Sequence, residues 1–131
     1  MQQKFGVAVM KKILIVDDEM LFLQSLDSAL QSTSAEVKKV ETGKEALQEI
    51  AATSYHLCFL DICLPDLDGI EVLKIITEIS PKTKVIMMTA GGITSNTQKI
   101  IEKYAYMFLP KPLELIQVRM LAKSISEELR G

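Results

Sequence analysis

The sequence predicts an α/β fold, a doubly wound parallel sheet of five strands with helices on both faces. Two patterns support this prediction. Short apolar runs alternate along the chain with segments of helical periodicity, and such alternation is typical of parallel strands joined by right-handed crossovers. The runs are continuously apolar rather than alternating in polarity, which indicates strands buried on both faces.

Five strands are assigned and numbered in chain order. Four of them are the apolar runs β1 (13–16), β3 (57–60), β4 (85–88) and β5 (106–109). The segment 37–40 contains two lysines, so we predict it to be an edge strand, β2. Five strands in this alternation suit the flavodoxin-like order 2-1-3-4-5.

Apolar residues at three- and four-residue spacing predict the helices. The stripes lie within residues 22–30 (α1), 46–50 (α2), 72–79 (α3) and 115–129 (α5). Residues 91–100 contain two glycines among Thr, Ser and Asn, which predicts a loop followed by a short helix, α4.

Local signals mark two helix starts and one helix end. Capping-box patterns begin at Thr42 and Asp68, each with a glutamate three residues later. Ser80-Pro81 marks the end of α3, because proline disfavours helical geometry in the residue before it.

Composition indicates one globular domain. The chain has 131 residues, of which 48% are hydrophobic and 24% charged, and the net charge of −2 does not point to nucleic acid or to an anionic membrane. Two cysteines are too few for a disulfide framework and suit a reducing compartment. We therefore expect a cytoplasmic domain (11–131), with no direct contact to nucleic acid or membrane, after an N-terminal extension (1–10).

Polar residues follow four of the predicted strands. Asp17 and Asp18 follow β1, Asp61 follows β3, Thr89 follows β4, and Lys111 comes shortly after β5. In a parallel sheet these positions share the carboxyl edge, where ligands bind in open α/β sheets. Each residue alone has a structural explanation as a cap or turn residue, so the convergence of four strand ends carries the functional prediction.

Three neighbouring carboxylates need a counter-charge. Two unit charges about 4 Å apart repel by about 4 kcal/mol at an effective dielectric constant of 20. Mg²⁺ prefers oxygen ligands and keeps waters that phosphate oxygens replace. An aspartate beside Mg²⁺ can act as a nucleophile and form an aspartyl phosphate, while Lys111 and Thr89 contact the transferred group.

These residues occur in a pattern that resembles the receiver domains of two-component response regulators, over residues 11–129. The matching pieces are Ile15-Val16-Asp17-Asp18-Glu19, Asp61-Ile62-Cys63-Leu64-Pro65-Asp66-Leu67-Asp68-Gly69, Met88-Thr89-Ala90 and Phe108-Leu109-Pro110-Lys111-Pro112. Asp61 follows Asp18 by 43 residues, Thr89 follows Asp61 by 28, and Lys111 follows Thr89 by 22.

The resemblance implies a Mg²⁺-dependent phosphoacceptor. Asp61 is the expected acceptor and a metal ligand, Asp18 a direct ligand, and Asp17 a ligand directly or through water. The backbone carbonyl of Cys63 is expected to complete the protein's contribution to the metal shell.

The resemblance also implies a switch. Thr89 is the expected switch hydroxyl, Phe108 the aromatic residue that changes rotamer with it, and Lys111 the contact to the phosphoryl group. Lys111-Pro112 is expected to be cis. Partners implied are a histidine kinase or phosphotransfer protein, a downstream effector domain or protein, and a second copy that pairs through the α4-β5-α5 face.

Two features depart from the family pattern. Tyr104-Ala105-Tyr106-Met107 replaces the frequent Gly-Ala-x-Asp, which changes the α4–β5 surface. Gly91-Gly92 follows Thr89-Ala90. Either small residues there leave a phosphoryl group open to water, or Gly91 serves only as a loop hinge.

Two alternatives remain open. A Mg²⁺-dependent hydrolase would use a carboxylate two residues after the nucleophile, where this chain has Cys63. A pseudo-receiver would bind partners without accepting phosphate. Under the favoured hypothesis the protein is a signalling switch rather than an enzyme, although it promotes its own phosphorylation and autodephosphorylation.

Overall fold

Five strands and five helices alternate in the computed structural model, which describes residues 11–31 and 35–130. The elements are β1 Lys12–Val16, α1 Met20–Gln31, β2 Glu36–Val40, α2 Gly43–Ala52, β3 Leu57–Asp61, α3 Gly69–Ile79, β4 Lys84–Thr89, α4 Ser95–Tyr104, β5 Met107–Pro110 and α5 Leu115–Arg130. The expected extension, residues 1–10, lies outside the described residues.

All strands are parallel and follow the order β2-β1-β3-β4-β5, which confirms the predicted topology. Val16 pairs with Leu60 across β1 and β3, and Thr89 pairs with Pro110 across β4 and β5. The carboxyl ends of the four strands therefore lie at one edge of the sheet.

Side chains of the central strands alternate between two apolar clusters, one on each face. Leu14, Cys58 and Met87 belong to the cluster beneath α2, α3 and α4. Ile15 and Phe59 belong to the cluster beneath α1 and α5. Because both faces of the central strands β1, β3 and β4 are covered, their interiors must be apolar, and their charged residues lie at the strand ends.

Helix caps agree with the local sequence signals. The Thr42 side chain accepts a hydrogen bond from the Glu45 amide (3.1 Å), and Asp68 accepts one from the Ile70 amide (2.9 Å). α3 ends as expected, where the Ser80 amide donates to the Ile76 carbonyl (2.8 Å).

α4 differs from its predicted range. The helix begins at Ser95, because the Thr94 hydroxyl caps it by accepting from the Thr97 amide (3.1 Å). It continues to Tyr104, beyond the predicted end at residue 100, because Ile101 and Tyr104 pack against the apolar cluster on that face.

Among the described helices, none has both the length and the apolar composition to span a membrane.

The only histidine gives the fold a testable pH dependence. Nδ1 of His56 accepts a hydrogen bond from the Lys12 amide (3.0 Å), and burial, followed by the Lys11 charge, lowers its pKa below the ordinary 6.5. The unfolded chain therefore takes up the proton first. The contribution of His56 to stability is present above about pH 6.5 and is lost as pH falls through the lower folded pKa.

Urea denaturation between pH 7.5 and 5 tests this prediction with His56→Asn, which keeps a hydrogen-bond acceptor but does not titrate. We expect the free energy of unfolding of the wild type, relative to the variant, to decrease below about pH 6.5. A difference that stays constant over this range would contradict the prediction.

Candidate functional site

The carboxyl edge of the sheet brings three predicted residues together. Asp17 follows the last residue of β1, Asp61 is the last residue of the neighbouring strand β3, and Lys111 follows β5. The Lys111 ammonium lies 2.5 Å from Asp17 Oδ2 and 3.0 Å from Asp61 Oδ2. All three side chains are at least nine-tenths buried.

A third carboxylate completes this group. Glu19 Oε1 lies 3.1 Å from the Lys111 ammonium, although the Glu19 side chain is 66% exposed. Solvent screening makes this contact weaker than the two buried ones. Three carboxylates around one ammonium leave a formal excess of negative charge, which favours a cation.

The backbone fixes the orientation of both buried carboxylates. Asp17 Oδ1 accepts from the Glu19 amide (2.9 Å), and Asp61 Oδ1 accepts from the Cys63 amide (3.1 Å). In each carboxylate, one oxygen thus accepts a hydrogen bond from the turn that follows the strand, and the other accepts one from Lys111.

Burial and hydrogen bonding have opposing effects on the pKa values of Asp17 and Lys111, the two partners of the main ion pair. Burial raises the pKa of the Asp17 carboxyl, against the hydrogen bonds from Lys111 and the Glu19 amide, and the nearby Asp61 charge adds to the increase. Burial would lower the pKa of Lys111, but its hydrogen bonds to Asp17, Asp61 and Glu19 outweigh this effect. The pKa of Lys111 is therefore raised, and the ammonium stays protonated at neutral pH.

The carboxylates also suit a hard metal ion. Oxygen atoms of Asp17, Glu19 and Asp61 lie within 4.8 Å of one another, so one cation can contact all three. Such an oxygen-only set is the chemistry that Mg²⁺ prefers. Asp18, predicted as a direct ligand, is exposed and lies outside this group.

Glu19 was not among the predicted site residues. The available signal was the acidic run Asp17-Asp18-Glu19. Phe22 was assigned only to the apolar stripe of α1, but its ring lies 4.3 Å from the Lys111 ammonium. At this distance the ring attracts the cation.

The predicted switch residues lie on the two strands next to this group. Thr89 is buried at the end of β4, and its hydroxyl accepts from the Gly91 amide at 3.3 Å. Phe108 lies on β5 opposite Met87 and is half-buried. The Lys111 amide donates to the Thr89 carbonyl (2.7 Å), which ties β4 to the lysine, and the bond that follows Lys111 is cis as expected.

The loop after Asp61 folds back tightly. The Gly69 amide donates to the Ile62 carbonyl (2.9 Å). A Cβ at Gly69 would lie 2.5 Å from the Asp61 carbonyl oxygen and 2.6 Å from the Ile62 Cα, so only glycine permits this approach. Cys63, in the same loop, is an exposed free cysteine.

An acidic site lies at the carboxyl edge of an α/β sheet with strand order 2-1-3-4-5, and known proteins that resemble this chain share that fold. The chain belongs to the response regulator receiver domain family, whose model matches residues 13–123. This membership confirms the resemblance seen in the sequence.

Curated relatives are longer than this chain. It is 32% identical over 111 residues to the response regulator protein PilR of Pseudomonas aeruginosa, covering 85% of this chain and 25% of PilR. It is 34% identical over 122 residues to the transcriptional regulatory protein CutR of Streptomyces coelicolor, covering 90% and 56%. The chain thus spans from a quarter to about half of these relatives.

Solved receiver domains share the fold. A CheY-like response regulator receiver domain protein from Methanospirillum hungatei superposes with a TM-score of 0.85 at 28% identity, covering 94% of this chain and all of that one. The BeF3-activated receiver domain of DrrB, from Thermotoga maritima, superposes with a TM-score of 0.81 at 30% identity, covering 91% and 99%. Family membership also argues against the hydrolase alternative.

Because Asp17 and Asp61 share the Lys111 ammonium, we predict an effect of its removal on the free energy of unfolding. Lys111→Met leaves Asp17 and Asp61 buried without their counter-charge, so we expect the free energy of unfolding in EDTA to fall by about 3 kcal/mol. Added Mg²⁺ is expected to restore part of this loss, because a cation replaces the missing charge. Urea denaturation with and without Mg²⁺ measures both effects.

The matched control is Lys99→Met, at an exposed position on α4. Its free energy of unfolding should change by less than about 0.5 kcal/mol. Equal losses for the two variants would show that the Lys111 contacts contribute nothing particular to stability.

Proposed function

We propose that this receiver domain is a Mg²⁺-dependent phosphoacceptor switch in which Asp61 receives the phosphoryl group. The observation that carries the proposal is the Asp61 carboxylate, held 3.0 Å from the Lys111 ammonium within a group of three carboxylates. A buried nucleophile beside a fixed cation and a metal-suited oxygen set is the arrangement that phosphoryl transfer needs.

The proposed metal ligands combine the resemblance with the geometry. Asp17, Asp18, Asp61 and the Cys63 carbonyl are the ligands that the resemblance implies, and Glu19 is an additional oxygen donor near Asp17 and Asp61. Bound Mg²⁺ would neutralise the excess negative charge and stabilise charge on the phosphoryl oxygens. Lys111 remains protonated and supplies a second positive charge to the same oxygens.

The phosphoryl donor is proposed to be a phosphohistidine of a histidine kinase or a phosphotransfer protein. A carboxylate oxygen of Asp61 attacks the phosphorus, a P–O bond forms, and the imidazole nitrogen leaves with the electrons of the broken N–P bond. In the autodephosphorylation step, water attacks the phosphorus, the P–O bond to Asp61 breaks, and inorganic phosphate leaves while the Asp61 carboxylate is restored. A Cβ at Gly91 would meet no described atom within 4 Å, which supports access of water from that side.

Switching is proposed to pass through Thr89 and Phe108 to the α4-β5-α5 face. The Thr89 hydroxyl donates to the Gly91 carbonyl at 3.4 Å, and donation to a phosphoryl oxygen would replace that hydrogen bond. Phe108 would change its rotamer in the space that Thr89 vacates. On β5 and just before it, Met107 and Tyr106 are exposed, so this face can contact a second copy, an effector domain or an effector protein.

The proposed output of the switch is an effector domain or effector protein that this domain contacts. Relatives such as CutR carry names of transcriptional regulatory proteins and are longer than the matched region. We propose that this chain controls an effector domain or protein through partner contacts rather than through direct contact with nucleic acid.

Intact-mass spectrometry after incubation with acetyl phosphate tests the acceptor. We expect one phosphoryl adduct that requires Mg²⁺ and is absent in Asp61→Asn, since the amide cannot act as the nucleophile. Asp27→Asn is the control, because Asp27 pairs with Lys39 on the surface (2.8 Å). An adduct on Asp61→Asn would reject the assignment, and a folded, Mg²⁺-binding wild type without any adduct would favour the pseudo-receiver alternative.

The switch is tested with Thr89→Val, which keeps the side-chain shape but removes the hydroxyl. We expect Mg²⁺-dependent binding of BeF3 to persist, because Asp61 and Lys111 are unchanged, while most of the amide chemical-shift change at Phe108 is lost. NMR titration of the wild type and Thr89→Val measures both responses. Thr77→Val is the control, because the Thr77 hydroxyl donates to the Leu73 carbonyl within α3 (2.9 Å). A full response at Phe108 in Thr89→Val would contradict the proposed route.

A further inference from the structure

We propose that Asp66 is a positioning residue for the metal site, because its carboxylate docks the tip of the β3–α3 loop (residues 62–68) onto the first turn of α2. The inference rests on the proposed function and deepens it. It concerns a side chain that does not touch Asp61 and that acts through the loop carrying the Cys63 carbonyl.

The contact consists of two backbone hydrogen bonds that a single carboxylate accepts. Asp66 Oδ1 accepts from the Gly43 amide (2.8 Å), and Oδ2 accepts from the Lys44 amide (2.9 Å). The first amides of a helix have no acceptor within the helix. Thr42 caps only the Glu45 amide, so Asp66 satisfies the two donors that precede it.

Electrostatics favour the same contact. The start of a helix carries partial positive charge, which attracts a carboxylate. The hydrogen bond from the Lys44 amide, and then that from the Gly43 amide, lower the pKa of the Asp66 carboxyl. Asp66 is therefore ionised at neutral pH and able to use both oxygens as acceptors.

Packing at the same place brings the loop close to the helix. A Cβ at Gly43 would lie only 3.0 Å from Leu67 Cδ1 and 3.0 Å from Val72 Cγ2. The missing side chain at Gly43 lets Leu67 rest on the start of α2 beside the Asp66 hydrogen bonds. Two independent contacts thus hold the loop tip at one position.

The other end of the loop is anchored at the site. The Cys63 amide donates to Asp61 Oδ1 (3.1 Å), and Cys63 forms an isolated antiparallel bridge with Asp68. Cys63, whose carbonyl is the proposed metal ligand, therefore lies between the acceptor and the docked tip. Releasing the loop tip would make the position of that carbonyl less fixed. Mutation of residues that orient a metal ligand typically lowers metal affinity 10–100-fold.

The test compares Asp66→Ala and Asp66→Asn with Thr42→Ala. Thr42→Ala removes a cap from the same helix turn but leaves the loop contacts in place, so it matches the structural part of the change. For each protein, NMR titration of the backbone amides gives the Mg²⁺ dissociation constant, and thermal unfolding gives Tm. Mass spectrometry gives the rate of labelling by acetyl phosphate at several Mg²⁺ concentrations.

We expect Asp66→Ala to raise the Mg²⁺ dissociation constant about tenfold. Labelling should slow at low Mg²⁺ and return to nearly the wild-type rate at saturating Mg²⁺, because Asp61 and Lys111 are intact. Asp66→Asn keeps one carbonyl oxygen as an acceptor, so its Mg²⁺ dissociation constant should lie between those of the wild type and Asp66→Ala. Thr42→Ala should lower Tm while leaving the Mg²⁺ dissociation constant unchanged, a separation that a purely structural role of Asp66 would not produce.

The outcomes distinguish this inference from the function on which it rests. A labelled wild type with the same Mg²⁺ affinity in Asp66→Ala, or in Asp66→Asn if the alanine variant does not fold, overturns the positioning role alone. A similar loss of Mg²⁺ affinity in Thr42→Ala also overturns it, since helix destabilisation would then explain the effect. A wild type that neither binds Mg²⁺ nor accepts phosphate overturns both proposals.

Discussion

The Lys111 ammonium, shared between Asp17 and Asp61, is the interaction on which the site depends. Pairing of β1 with β3 sets Val16 beside Leu60 and so brings two buried carboxylates to adjacent strand ends. Without a counter-charge, their burial and mutual repulsion would oppose the strand pairing that the core requires. Lys111 relieves this cost and still leaves an excess of negative charge, so the contact that supports the fold also prepares a cation site.

The topology explains why these groups can meet. β1 and β3 are neighbours although α1, β2 and α2 separate them in the chain, and β4 and β5 continue the same sheet. With helices on both faces, the strands supply rigid, apolar positions up to their last residue. In the central strands, charged side chains are tolerated only where the strands end, and this places the polar groups of four distant segments at one edge.

The fold could be predicted from the sequence because its signals are local. Apolar runs, helical periodicity and caps such as Thr42 are each contained within a few residues, and the alternation of elements restricts the topology. Asp17, Asp61 and Lys111 could be placed together because they follow strand ends. Their position requires only the parallel arrangement, not the details of side-chain packing.

Other parts of the site depend on side-chain geometry that no local pattern records. Glu19 and Phe22 meet Lys111 through the path of the turn between β1 and α1, yet in the sequence they are an acidic residue before a helix and one apolar residue of a stripe. Asp18 follows Asp17 but is exposed, because neighbouring side chains leave the end of a strand in different directions. The dock of Asp66 likewise joins segments more than twenty residues apart.

Gly69 has a mechanical consequence. Its backbone approaches the Asp61 carbonyl and the Ile62 Cα so closely that no gap separates the first turn of α3 from the peptide that carries Asp61. Close-packed atoms transmit displacement instead of absorbing it. A displacement of the beginning of α3, for example by a bound protein, is therefore transmitted directly to the end of β3, because the two segments are in van der Waals contact.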